Sequence, residues 1–450
     1  MRLVSRKPLL IVLIAFLLVV GTTQLLRALD GDASIQVQFD ATISHPNLLS
    51  GKQQTTYIKV DLTGFEIEKR DERTPVNIAL VLDRSGSMSG QKMQQAKKAA
   101  IMAIDRLGPG DIVSVVSFGE TIDVLVPATE VIDKHAITQR IRRIQAQGGT
   151  PLYAGVTEGA QTLRAYLDGN RVNRVILLSD GDANQGPRSP SALGDLGAAL
   201  SQEGITVTTI GLGLSYNEDL MTQLARRSDG NHSFVEHTGN LVHIFDQEFG
   251  DVLSVVAQDV SVTIDCSVGI RPVRVLGRDA RIDGQQVTVG LNQLYSNQDK
   301  YIVLEVETQP TATSGRQEIA SVTTSYANML THTTEVLTRT ISAHITESEE
   351  TVKETIDKKA MVAAIEQQGI LNEEQAIFLR DQGRQEEAER LLQDNAQFLE
   401  TNAALYEDDA LYSDAQRSRE AATNLDERRW NQQRKSMRSD HHKAKSQQNY

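Results

Sequence analysis

The chain has 450 residues, a formal net charge of -13 and 40% hydrophobic residues, enough length and apolar content for two or three packed cores, which excludes a disordered protein. The acidic balance argues against a nucleic-acid partner held through its phosphates, because such binders carry a basic patch or stripe. Cys266 is the only cysteine, so no internal disulfide exists, and its place in an alternating run reads as a small buried hydrophobe.

Residues 1–30 read as an export signal: Arg2, Arg6 and Lys7 precede an apolar run from Pro8 to Gly21. The run suits a cleaved signal peptide, and continuation through Leu25, Leu26 and Leu29 lengthens it towards a retained single membrane anchor, for which about 20 apolar residues are needed. Either way the positive flank stays cytoplasmic and the remainder is extracytoplasmic, anchored in an inner membrane facing the periplasm or secreted. Residues 31–72 alternate apolar and polar positions between turn signals, as two or three β-strands do. These are too few to bury a face alone, so they are expected to pair with a later β-domain.

Across residues 73–256 the pattern changes to apolar strands alternating with helical periods. "VNIALVLD" precedes a segment in which Met93, Ala96, Ala99, Ala100, Ala103, Ile104 and Leu107 share one helical face. "DIVSVVSF", "TIDVLVPA", "RVILLSD", "ITVTTIGLG" and "HSFVE" follow, interleaved with further helices. This alternation predicts an α/β, Rossmann-like domain with a mostly parallel sheet and helices on both faces. Period two returns over 257–346 and predicts an antiparallel β-sandwich, in or next to which the α/β domain is inserted. Residues 347–425 are rich in Ala, Glu, Gln and Leu and read as a helical hairpin region with Gly369 and Gly383 as helix ends. The basic, polar residues 426–450 read as a disordered tail.

The stretch "LVLDRSGSMSG" carries the chemistry. Asp83 ends the first strand of the α/β unit, where ligands of open α/β sheets bind. In an extended segment Asp83, Ser85 and Ser87 face one way, and Gly86 lets the backbone bend around a common point. "QGGTPLYAG" places Thr150 just before a helix, and "LLSDGDANQG" places Asp180 at the end of another strand. A donor set made only of oxygens suits a hard divalent cation, with no softer His or Cys in the motif.

These stretches resemble the metal-ion-dependent adhesion site of a von Willebrand factor type A domain: D-x-S-x-S, the Thr of G-G-T-P-L and the Asp of L-L-S-D-G are all present, within a match from about Pro75 to Val255. The resemblance implies metal ligation by Ser85, Ser87 and Thr150 directly and by Asp83 and Asp180 through water. It implies Mg2+, with Mn2+ or Ca2+ as alternatives, and affinity adjusted by movement of the last helix of the domain. A cation held mainly by neutral hydroxyls stays electrophilic, which favours a protein ligand presenting Asp or Glu. The order of short strands, type A domain and β-rich segment is also similar to bacterial exported proteins distantly related to inter-alpha-trypsin inhibitor heavy chains.

Enzymatic readings find little support. There is no G-x-S-x-G, no H-E-x-x-H and no paired-cysteine motif, the nine His residues are scattered, and "GLGLSY" lacks the third glycine of a dinucleotide fingerprint. The expectation is therefore a non-enzymatic, exported, metal-dependent adhesion or assembly module. The alternative is a scaffold subunit of a cell-envelope complex in which the metal mainly stabilises the fold.

Overall fold

The structure is a computed structural model that describes residues 36–67, 73–310 and 314–448. The expected signal or anchor at 1–30 lies outside the described residues, and among them no helix is long and apolar enough to cross a membrane.

Three strands come first: β1 (Gln38–Ile43), β2 (Asn47–Leu49) and β3 (Gln54–Thr63). The α/β unit follows as β4 (Val76–Asp83), α1 (Gln91–Arg106), β5 (Ile112–Phe118), β6 (Ile122–Glu130), α2 (Lys134–Arg142), α3 (Leu152–Leu163), β7 (Val172–Ser179), α4 (Pro190–Gln202), β8 (Ile205–Leu212), α5 (Glu218–Arg227), β9 (His232–Val235) and α6 (Leu241–Val252). Its sheet order is β6-β5-β4-β7-β8-β9, parallel throughout except for the antiparallel edge strand β6. Every residue of β4, β5, β7 and β8 is buried, as expected for strands covered on both faces. Period two divides them between two layers: Ile78, Leu80 and Leu82 face the core shared with α1 and α6, while Ala79 and Val81 face the core shared with α3, α4 and α5.

The antiparallel part comprises β10 (Val255–Cys266), β11 (Ile270–Leu276), β12 (Arg281–Asp283), β13 (Gln286–Tyr295), β14 (Asp299–Thr308), β15 (Gly315–Asn328) and β16 (Thr333–Thr346). Its sheets have the orders β1-β3-β14-β11 and β12-β13-β10-β15-β16-β2 and share one apolar core that includes Ile58, Val60 and Leu304 from the first and Val262, Val289 and Val322 from the second. The early strands thus complete the later β-domain, and the α/β unit is inserted between β3 and β10. Cys266 lies in this core, where burial pushes its thiol up to about 11.

One expected boundary shifts. The sequence pattern puts the α/β unit at 73–256, but β10 already starts at Val255, so helix α6 and the sandwich strand are separated by two residues. Buried Arg174 of β7 ties the same junction: it donates to Glu248 of α6 at 2.7 Å, to the Tyr295 hydroxyl of β13 at 2.9 Å and to Gln293.

The helical region holds α7 (Glu349–Glu354), α8 (Lys358–Asp381), α9 (Gln385–Tyr406), α10 (Asp409–Thr423) and α11 (Glu427–Ser446). Asp357 and Asp408 accept from Ala360 N and Leu411 N and so cap α8 and α10. Gly383 does sit in the turn after α8, at φ +79°, but Gly369 does not end a helix. It lies inside α8, where a Cβ would come within 2.9 Å of Leu399 Cδ2, so glycine there lets α8 and α9 pack closely.

The disordered tail expected at 426–450 is instead helix α11 over most of its length. Its polar composition conceals a docked face. Trp430 and Met437 join an apolar cluster with Ala376 and Leu392. Arg434 pairs with Glu218, Asp219 and Asp381, and Lys435 pairs with Glu218 while its ammonium stands 4.6 Å over the Tyr216 ring. Charged side chains are buried here because each meets an opposite charge on another element.

Candidate metal site at the sheet edge

Strand β4 is the point at which the sheet order reverses, with β5 on one side and β7 on the other. Loops leaving the carboxyl ends of strands diverge at such a point and open a crevice between them. Asp83 ends β4, Asp180 directly follows β7, and Thr150 lies two residues before α3.

Asp83 is fully buried. One of its oxygens accepts from Ser85 N–H at 2.7 Å and the other from the Ser179 hydroxyl at 2.5 Å. Burial pushes its carboxyl up to about 6, against the opposing pull of those hydrogen bonds. The Ser85 and Ser87 hydroxyls are 3.0 Å apart, and Ser87 donates to Asp180 Oδ1 at 2.7 Å. The second Asp180 oxygen holds the Lys92 ammonium. Thr150 N–H donates to Asn184 Oδ1 at 2.8 Å, which fixes the third loop against the second. A Cβ on Gly181 would lie 2.9 Å from Thr150 Oγ1 and 3.6 Å from Ser87 Oγ, so both hydroxyls border the space above this glycine. All five residues expected at the site are therefore gathered in one place.

Their local geometry differs from expectation in one respect. The segment after Asp83 is not extended: Gly86–Met88 forms a 3-10 turn. The turn brings the two serine hydroxyls together, and Gly86 N–H donates to Gly148 O at 3.1 Å. Gly148 itself is required, at φ +86°, because a Cβ would come within 2.1 Å of Glu120 N. Buried Arg84 binds Thr121 of the β5–β6 connection and Asp123 at the start of β6, each at 2.7 Å.

Sequence reasoning missed Ser179, Lys92 and Asn184. Ser179 had a visible signal, as the hydroxyl directly before Asp180; Lys92 and Asn184 had none without the fold. "GLGLSY" is explained by packing, since a Cβ on Gly211 would fall 2.2 Å from Tyr216 Cζ.

The donor set fits a hard divalent cation. Two buried carboxylates are offset by one ammonium, at Asp180, so the cluster carries a surplus of negative charge, and three hydroxyls supply neutral oxygens, with no His or Cys in the cluster. Among the described residues no three His, Cys, Asp or Glu side chains gather to hold a metal, so an ion here would depend on the hydroxyls. Ser87 is exposed while Ser85 and Thr150 are buried, which leaves the serine side of the cluster open to solvent.

This fold and loop set define a von Willebrand factor type A domain, and residues 77–247 match the family described as von Willebrand factor type A domain. The chain is 31% identical over 215 residues to the uncharacterized protein sll0103 of Synechocystis, covering 48% of this chain and 50% of that one. It is 31% identical over 165 residues to human inter-alpha-trypsin inhibitor heavy chain H2, covering 35% of this chain and 17% of that one. The chain thus spans half the length or less of these relatives. A solved von Willebrand factor type A protein from Catenulispora acidiphila superposes with a TM-score of 0.67 at 16% identity, covering 88% of this chain and 90% of that one. The likeness therefore extends over the inserted domain, the sheets and the helices together. Domains of this family are generally protein-interaction or adhesion modules.

Proposed function

We propose that the type A domain is a non-enzymatic, metal-dependent protein-binding module, in which Ser85, Ser87 and Thr150 bind Mg2+ directly and Asp83 and Asp180 support it through water. When bound, the ion supplies an electrophilic position for a carboxylate oxygen of a partner's Asp or Glu. The observation that carries this reading is the meeting of the Ser87 and Thr150 hydroxyls above Gly181, beside two buried carboxylates. Ser179 and Ser85 N–H hold Asp83 in place, and Lys92 partly offsets the charge of Asp180. The apolar run behind Arg2, Arg6 and Lys7 supports work outside the cytoplasm, either secreted or anchored at the membrane.

The test is isothermal titration of Mg2+ and of Mn2+ into EDTA-stripped protein, beside Asp83→Ala and Thr150→Ala. Saturable binding in the parent and its loss in folded variants supports the site; no binding in the parent rejects it.

A second reading rests on the burial of Asp83 and Asp180, both 0% exposed. Two buried carboxylates repel, so an ion between them stabilises the fold, as a scaffold subunit would require. Chelation separates the readings. Partner binding lost with melting temperature kept favours the adhesion module, and a large fall in melting temperature with binding kept favours the scaffold.

A further inference from the structure

A cavity of about 580 Å³ lies where the three parts of the molecule meet. Helices α4 and α5 of the type A domain form one wall, the turn Gly277–Asp279 after β11 a second, and the last turns of α11 a third. It is separate from the cluster at Asp83, none of whose residues lines it.

The charges on its walls do not balance. Arg226, Arg227, Arg278, Arg438 and Lys445 line it, against four carboxylates, Asp219, Asp229, Asp279 and Glu374. Those carboxylates are also heavily shared. Asp279 serves both Arg226, at 2.6 Å, and Arg227, at 3.6 Å. Asp219 serves Arg434 as well as Arg438. Asp229 reaches Arg278 only at 3.6 Å, and its other oxygen accepts Asn292 N–H at 2.5 Å.

Two buried side chains on this lining keep an unused polar atom. The Arg278 side chain is 9% exposed. It donates from one terminal nitrogen to Gln447 Oε1 at 2.6 Å, yet its Nε finds no hydrogen-bond partner among the described residues. Burial pushes this guanidinium down from its ordinary value, with Asp229 opposing. The His441 side chain is 5% exposed, with Nε2 at 2.6 Å from Glu373 and Nδ1 unpartnered among the described residues. Arg278 Nε is itself shielded from solvent, so what favours an anion here is the long 3.6 Å reach of Asp229 to the Arg278 guanidinium, in a lining that carries one more cation than carboxylate.

We propose that this cavity is a binding site for a small oxyanion, a phosphate or a carboxylate, with Arg278 as its main donor and Arg227 at its edge. Because the walls come from three parts of the chain, the anion fastens the type A domain to the sandwich and to α11. The site is independent of the metal site, so either proposal stands if the other fails.

The test is isothermal titration of the full chain with inorganic phosphate and, separately, with succinate, at matched ionic strength and without divalent cations. One saturable site tighter than about 1 mM for at least one probe is expected, and the probe that binds identifies the anion type. Arg278→Gln should weaken it about ten-fold or more. Arg227→Gln should weaken it a few-fold with folding unchanged, because Arg227 is 37% exposed and only loosely paired. If Arg278→Gln does not fold, Arg227→Gln decides. The proposal is overturned if neither probe gives saturable binding, or if the folded variants bind as the parent does, which would mark an adventitious ion only.

Discussion

Strand β7 carries a polar cluster at each end, and the two are built on opposite rules. Near its start, Arg174 is wholly buried and all five of its N–H groups are used, by Thr206, Thr208, Glu248, Gln293 and Tyr295. Just past its end, Asp180 is equally buried but belongs to a set of oxygens that face one another, with exposed Ser87 at the rim. The first cluster is saturated and closed, as a group that joins domains must be. The second has surplus acceptors and an opening, as the proposed cation site requires. Burial alone does not separate structural polar groups from functional ones; the remaining hydrogen-bonding capacity does.

The largest test of that contrast is Arg174→Met. It should cost about 3–5 kcal/mol of stability, measured by urea unfolding, because Glu248 is left buried without its cation. A loss no larger than that of a surface substitution would show that the start of β7 is not a closed structural cluster. At the other end, Asp83→Ala and Thr150→Ala should lower Mg2+ affinity by about 10–100-fold while circular dichroism stays that of the parent. If these variants unfold as readily as Arg174→Met, the two ends do not differ in kind.

A smaller effect is expected from pH. Burial, reinforced by Glu248, pushes the Asp251 carboxyl up to about 7. Between about pH 4 and that value the folded chain holds a proton that the unfolded chain has lost, so this group's contribution to stability falls as pH rises. Asp251→Asn should therefore reduce the loss of stability between about pH 5 and about pH 8, read as the shift in urea midpoint relative to the parent. An identical shift in both proteins would remove Asp251 from the junction's electrostatics. The smallest effect concerns Lys92→Met, which removes the ammonium competing at Asp180 and should tighten Mg2+ binding a few-fold. Weaker binding would make Lys92 a support of the site and not a competitor.

Much of the site could be read from the sequence because two of its three loops, those of Asp83 and Asp180, end an apolar run. Asp83 and Asp180 stand at the carboxyl ends of strands whose burial is written in consecutive Val, Ile and Leu, and parallel strands bring those ends to one edge. The 3-10 turn at Gly86–Met88 was not legible, since Ser and Gly are compatible with several turns. Helix α11 is hidden in the sequence for a different reason. Its inner face uses Lys435, Arg434 and His442, residue types that signal solvent, and the acidic partners Glu218 and Asp219 lie more than two hundred positions earlier. Gly369 misled in the same way, because the closeness of α8 to α9 is a property of the pair and not of either helix.

The insertion of the type A domain has a mechanical consequence. Its two attachments are β3, flanked by β1 and β14 in one sheet, and β10, flanked by β13 and β15 in the other. Tension applied at the loop cluster therefore enters the sandwich along two inner strands, one per layer. Pulling the domain free requires each strand to break hydrogen bonds with neighbours on both sides, so the load is divided among four ladders before any of them begins to fail.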